Sequence, residues 1–401
     1  MAVRLVERCA CWFSDPAERL QFLQRATAPS ALEGSGQFAH TIRWALARWD
    51  FSRRLLSFAG LVILTTLAVV GTVVVEASSR RGASTPSIAT VAPTPGRPPV
   101  ELPNAGPATV PRIWIVEAGP DFDLYSNGLR VENQFATSTE PRKYRAFLRG
   151  PQDPAEARWR TDPAGIVFHA TESHMAPFEQ DQNRTLRRAG EGLLEYVFRN
   201  RSYHFVIDRF GRVFRIVRES DRANHAGHSV WADQTWIYLD LNPVFFGVAF
   251  EAQTRPEGES SPINPAQVHA GRILTDMLRS RYGIAAENCV THAQVSVCPS
   301  NRHAAYHTDW AAHLPFHELG LGDNYALPLP SVVLFGFATD PSLGNEGSPV
   351  LQRALMTGEG QLRDQAAAQG LAIDRYRQSL QTRYQETVRA LAANAPIEEN
   401  N

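Results

Sequence analysis

Two short apolar segments, Ile166-Val167-Phe168-His169 and Cys289-Val290-Thr291-His292, each close on a histidine, and Tyr306-His307-Thr308-Asp309 follows the second. Runs this short and this apolar read as buried strands, which restricts the chain to folds whose sheet is covered by other layers. A strand end is a rigid place for a side chain. Two strand-end imidazoles and a carboxylate are the donors zinc accepts, and three protein ligands with a fourth open position are the catalytic rather than the structural arrangement. Taken singly, each histidine is equally a hydrogen-bonded core residue. The rest of the pattern has to decide.

The 401 residues leave room for two or three domains, and a net charge of −1 lacks the basic excess that nucleic-acid phosphates demand, so no nucleic-acid partner is expected. Four cysteines are too few for a disulfide framework. Cys9 and Cys11 lie near the start, and Cys289 and Cys298 far from them.

The run Leu55 to Val75, LLSFAGLVILTTLAVVGTVVV, carries no charge. It is long enough to cross a hydrocarbon layer of roughly 30 Å as one helix. Residues 1–54 precede it, which favours an uncleaved anchor over a signal peptide. Arg43, Arg48, Arg53 and Arg54 stand before the run against Asp50 alone, with Arg80 and Arg81 after it. This arginine bias places residues 1–54 in the cytoplasm and the remainder outside, as a single-pass protein of the cell inner membrane with a periplasmic or extracytoplasmic bulk. Residues 76–111, with TPSIATVAPTPGRPP at their centre, have the composition of an extended tether.

Residues 112–163 read as a small β subregion, with Arg112-Ile113-Trp114-Ile115-Val116, an Asn127-Gly128 turn and KYRAFLR. Asp181 to Asn200 has helical length. SYHFVIDRFGRVFRIV alternates about Asp208-Arg209-Phe210-Gly211 as a hairpin, and Phe246 to Glu251 is another apolar strand. Asn264 as N-cap, Pro265 at the first position, apolar residues at helical spacing and Gly283 at the end define a second helix. Strands interleaved with helices predict an α/β domain. Residues 326–401 form a C-terminal extension in which Val350 to about Asn394 reads as two helices broken at Gly370.

With these pieces in order, IVFHATES, SYHFVIDRFGRVFRIV, NHAGHS, FGVAFEAQ, the helix from Asn264 to Tyr282, VTH and YHTDW, the stretch from about 164 to 320 resembles the zinc amidase family, within an expected domain at 164–325. That family includes the bacterial N-acetylmuramoyl-L-alanine amidases (amidase_2) and the peptidoglycan recognition proteins. The resemblance implies a central mixed β-sheet flanked by helices, a groove for peptidoglycan or muropeptides, and one Zn²⁺ ion at its base. It implies His169 and His292 as metal ligands. The third is either Asp309, in an element similar to the Lys-x-Asp of the bacterial enzymes, or Cys298, in a Cys-Pro similar to that of the recognition proteins; Asp309 is the favoured choice. It further implies that Glu251, ending a strand similar to Gly-Ile-Glu-x-Glu, is the general base. His307 stands where the family has Lys or Thr and would stabilise the oxyanion, while His225 in Asn224-His225-Ala226-Gly227 would contact substrate. The implied activity is hydrolysis of the amide between N-acetylmuramic acid and L-alanine by a membrane-anchored enzyme. A non-catalytic peptidoglycan-binding or sensing module is the alternative.

Overall fold

The computed structural model describes residues 110–150, 157–254, 263–341 and 343–393. All of these fall in one compact unit, residues 103–401. The expected transmembrane helix at 55–75, the segment 1–54 before it and nearly all of the tether at 76–111 lie outside the described residues. Among the described residues no helix is long and apolar enough to cross a membrane.

The strands are β1 Ile115–Ala118, β2 Phe122–Tyr125, β3 Arg130–Glu132, β4 Tyr144–Leu148, β5 Arg158–Arg160, β6 Gly165–Ala170, β7 Phe205–Ile207 and β8 Val213–Arg215. They continue with β9 Val230–Ala232, β10 Trp236–Leu239, β11 Phe245–Phe250, β12 Cys289–Thr291, β13 Val297–Cys298, β14 His303–Ala304 and β15 Ala338–Thr339. The helices are α1 Asn183–Asn200, α2 Pro265–Tyr282, α3 His292–Val295, α4 Pro330–Phe335, α5 Leu343–Glu346, α6 Pro349–Ala368 and α7 Ile373–Ala393.

The main sheet has the order β1-β2-β3-β8-β7-β11-β6-β12. Its centre is parallel: β11 pairs β6 with Ala249 opposite His169, β12 pairs β6 with Thr291 opposite Phe168, and β7 runs parallel to β11. The expected hairpin is present as antiparallel β7 and β8, so the sheet is mixed. Every residue of β6 and β11 is buried, as parallel strands covered on both faces must be.

The two covers use opposite pleat faces. On one, Phe168, Val248 and Phe250 share a core with Leu274, Met277 and Leu278 of α2. On the other, Val206, Phe214 and Ala249 pack with Leu193, Leu194 and Val197 of α1. Burying each such side chain contributes about 1.5–3 kcal/mol before chain entropy is subtracted. The start of α2 matches its sequence signals: Asn264 accepts from the N–H groups of Ala266 and Gln267, Pro265 opens the helix, and Gly283 closes it.

The expected β subregion at 112–163 is divided between two sheets. Strands β1 to β3 extend the main sheet through β3 and β8, whereas β4 and β5 join β10 and β9 in a separate four-stranded sheet. That second sheet contributes Tyr144, Trp231 and Tyr238 to a core with Val167 and Phe245. It therefore covers the same face of the main sheet as α1, nearer the strand starts. The two C-terminal helices form with their break at Gln369–Ala372, and they are clamped to the rest: Arg145 donates to the Ala390 carbonyl, Arg383 to that of Gly150, and Arg377 to those of Gly336 and Phe337.

The start of β6 admits no side chain. A Cβ on Gly165 would lie 2.4 Å from the Asn288 carbonyl oxygen and 2.4 Å from the Phe245 ring. Backbone from β12's approach and a core ring cannot both retreat, so Gly165→Ala should cost on the order of 1–3 kcal/mol. Urea denaturation of parent and variant measures it; an unchanged midpoint would show that the strand start tolerates the methyl.

Candidate metal centre

The carboxyl ends of the parallel strands bring the chemistry together, as they do in open α/β sheets generally. His169 is the penultimate residue of β6, Glu251 follows β11, and His292 follows β12 as the first residue of α3. Thr291 caps that short helix: its side chain and that of Gln294 form a reciprocal capping box, and Gln294 Oε1 accepts from the Thr291 N–H at 3.0 Å. The cap sets the angle at which the chain leaves β12, and so the direction of His292.

Asp309 returns to this point from the loop beyond β14. Its Oδ2 lies 3.2 Å from His169 Nδ1 and its Oδ1 lies 2.9 Å from His292 Nδ1. The three donors stand within 4.8 Å of one another. Cys298, the other candidate for the third position, is not in this group; it lies on β13 with its Sγ 3.1 Å from the Ser300 hydroxyl.

Burial pushes His169 down to about 4, the neighbouring His292 adds to the depression, and its hydrogen bond with Asp309 opposes it. His169 is thus neutral at physiological pH and holds a lone pair. Burial acts to raise Asp309, but the two histidines outweigh it and hold the carboxyl well below the usual range. A carboxylate with one imidazole nitrogen at each oxygen is a set of donors that a divalent cation completes. His292 Nε2 is buried without a hydrogen-bond partner, so the site's polar atoms are not satisfied within the protein. Two nitrogens and one carboxylate suit zinc.

The surrounding residues take distinct places. His307 is exposed and stacks on His292 with centroids 4.5 Å apart and planes 17° from parallel. His225 lies behind His169, its Nδ1 3.1 Å from His169 Nε2 and its Nε2 3.2 Å from the Phe245 carbonyl oxygen. Both its ring nitrogens are engaged inside the protein. His204, buried, lies between Arg142 and the Asp221 carbonyl and accepts from the Gly247 N–H at 3.0 Å, a structural role.

Glu251 is 4% exposed, and its Oε2 accepts from the Arg209 N–H at 3.1 Å. Burial raises its pKa from the ordinary carboxylate value, the Arg209 N–H opposes this, and the charges that act on it are Asp208, Arg209 and Arg212. It shares the pleat face of His169 two residues beyond Ala249. Against the pattern Gly-Ile-Glu-x-Glu, the chain reads Gly247-Val248-Ala249-Phe250-Glu251, so the acid nearer His169 is replaced by a methyl group.

Two further residues belong to the neighbourhood and carry no sequence signal of their own. Glu172 is exposed, in left-handed backbone with φ 49°, and its Oε1 accepts from the Thr254 N–H at 2.9 Å and from the Thr254 hydroxyl. Burial of its carboxyl raises its pKa, Thr254 opposes this, and Asp309 adds to the rise. The Tyr203 ring lies 5.0 Å from that of His169, and burial together with Asp309 raises its pKa. Only the fold brings either residue beside Asp309.

Residues 159–304 match the family model Amidase_2, described as N-acetylmuramoyl-L-alanine amidase. His169, His225, Glu251 and His292 lie inside the match, and His307 and Asp309 just beyond it. No curated protein matches the chain. Among solved structures, the N-acetylmuramoyl-L-alanine amidase LysC from Clostridium intestinale URNW is 20% identical with a TM-score of 0.26, over 46% of this chain and 93% of that one. AmiD from E. coli, an N-acetylmuramyl-L-alanine amidase solved with anhydro-N-acetylmuramic acid-L-Ala-D-gamma-Glu-L-Lys, is 19% identical with a TM-score of 0.33, over 60% and 88%. AmpDH3 from Pseudomonas aeruginosa, solved with anhydromuramic pentapeptide, is 21% identical with a TM-score of 0.32, over 48% and 82%. The segment that carries both histidines is the segment that matches: residues 159–304 are similar to the N-acetylmuramoyl-L-alanine amidase family, Amidase_2.

Proposed function

We propose that the protein is a zinc-dependent peptidoglycan amidase that hydrolyses the amide between the lactyl group of N-acetylmuramic acid and L-alanine. The observation that carries this reading is the convergence of His169, His292 and Asp309 at the edge of a domain that matches the amidase family. These three residues would hold the ion. Zinc bound there supplies a Lewis acid for the scissile carbonyl and lowers the pKa of water toward about 7.

The remaining work falls to the protein's own side chains. A proton must leave the attacking water and reach the departing amine, and a carboxyl whose pKa is raised by burial suits both halves of that transfer. Glu251 fills this role in our reading. In our reading His307 would donate a hydrogen bond to the developing oxyanion; its exposure and its stacking on His292 support this. The alternative, a peptidoglycan-binding or sensing module without turnover, would not require a carboxylate held between two imidazoles.

We further propose that Leu55 to Val75 anchors the protein in the inner membrane with residues 1–54 cytoplasmic, and that the Pro-rich segment 76–111 lets the domain reach the peptidoglycan layer. The charge-free run and the arginine bias support this. A reporter enzyme that works only outside the cytoplasm, fused after Thr109, should be active. Activity confined to a cytoplasm-specific reporter would overturn both the orientation and the substrate.

The purified protein should contain stoichiometric zinc by elemental analysis. Asp309→Ala should lose it, whereas Cys298→Ala should keep it. The reverse pattern would transfer the ligand role to Cys298.

Glu251→Gln should retain zinc and bind muropeptide while releasing peptide from sacculi roughly 10²- to 10⁴-fold more slowly. Glu172→Gln is the comparison. Should Glu172→Gln lose turnover while Glu251→Gln keeps it, the proton transfer belongs to Glu172.

A further inference from the structure

Resting on the metal site proposed above, we infer that His225 is a positioning residue. It fixes the tautomer of His169, so that His169 donates its Nε2 proton to His225 and presents the lone pair of Nδ1 to the metal.

A neutral imidazole has one proton and one lone pair, and a nitrogen that ligates a metal must be the one without the proton. The proton then sits on the other nitrogen and needs an acceptor there, which in metal sites fixes both the tautomer and the ring plane. Nδ1 of His169 is the atom turned toward Asp309, and Nε2 is turned toward His225 Nδ1 at 3.1 Å. The His169 side chain is 1% exposed, so bulk water does not serve that nitrogen.

His225 accepts at Nδ1 only when its own proton is on Nε2. That nitrogen lies 3.2 Å from the carbonyl oxygen of Phe245, an atom that accepts and cannot donate. The carbonyl therefore sets the direction of the whole chain: Nε2–H of His225 to Phe245 O, and Nε2–H of His169 to His225 Nδ1. Reversing it would place two lone pairs face to face at Phe245.

The relay is also held rigidly in place. Asn242 Oδ1 accepts from the backbone N–H groups of His225 and Ala226 at 2.9 and 2.8 Å, which fixes the loop. The His225 ring stands at 82° to that of His169, with centroids 5.3 Å apart. Beneath it, a Cβ on residue 247 would lie 2.6 Å from His225 Cγ, so Gly247 leaves the space the imidazole occupies. Gly247 and Phe245 both belong to β11, the strand hydrogen-bonded to the strand that bears His169. Ligand and terminal acceptor thus share one rigid sheet, and the relay's loop packs against it.

The test uses the full-length protein, loaded with zinc and labelled with ¹⁵N at histidine. Long-range ¹H–¹⁵N spectra should show His169 and His225 both protonated at Nε2. A His225 protonated at Nδ1 would overturn the relay. In parallel, zinc affinity is measured by chelator competition for His225→Phe, which keeps a ring without an acceptor, and for His225→Asn, whose Oδ1 can replace Nδ1. We expect affinity to fall on the order of 10- to 100-fold in His225→Phe and to be largely restored in His225→Asn. Unchanged zinc affinity in both variants, with muropeptide KM raised, would overturn the relay and make His225 a substrate contact. Should His225→Phe fail to fold, the spectra of the parent and the affinity of His225→Asn decide. Parent protein that takes up no zinc would sink the metal site itself, whereas parent zinc with variant affinities unchanged sinks the relay alone.

Discussion

β6 lies between β11 and β12, parallel to both and in a register that sets Ala249 beside His169 and Thr291 beside Phe168. The rest of the molecule follows from that pairing. Parallel strands need crossovers, and α1 and α2, which lie between β6 and β7 and between β11 and β12, cover opposite faces of the sheet. Because all three strands end on the same edge, residues far apart in the chain finish within a few ångströms of each other. A one-residue slip of β6 would turn His169 into the α2 core and bring Phe168 to the site face. Gly165 protects against this from the other end, since its lack of a side chain lets the Asn288 backbone and the Phe245 ring close on the strand start.

At that edge, burial and charge divide the protonation states. Burial keeps His169 neutral, and the two histidines together keep Asp309 ionised against the burial that would protonate it. The two glutamates nearby go the other way: burial is the largest cause for both, and Glu172 feels Asp309 in addition. One edge of one sheet therefore holds a carboxylate suited to a cation and carboxyls suited to moving protons. The difference comes from partners rather than residue type. Asp309 has an imidazole nitrogen at each oxygen, whereas Glu251 has one backbone N–H and Glu172 has Thr254.

Several elements were legible from local pattern because local physics decides them. The hairpin about Asp208 to Arg212, the capped start of α2 and the break between α6 and α7 each depend on residues within a few positions of one another. The small β subregion was not legible as it stands. Its strands were visible, but whether β4 joins β3 or β10 is a choice among partners distant in sequence, and Phe147 and Leu148 pair with Ile237 and Trp236. Asp309 was the favoured third ligand from its sequence element, with Cys298 left as the alternative. The β13 and β14 pairing turns Cys298 toward Ser300, and only the return of the later loop carries Asp309 to His169, 140 positions away in sequence.

By itself the sequence determined the alternation of strands and helices, the two strand-end histidines, the acid that follows β11 and the order of motifs that marks the amidase family. Each of these is written in residue identity and short spacing. Tertiary structure decided which acid joins the histidines, that Glu172 and Tyr203 border them, and that His225 stands behind His169 with its nitrogens committed to His169 Nε2 and the Phe245 carbonyl. Those outcomes depend on sheet register and on the packing space left by Gly247, and a spacing pattern along the chain does not encode which of two distant side chains will arrive within hydrogen-bonding distance.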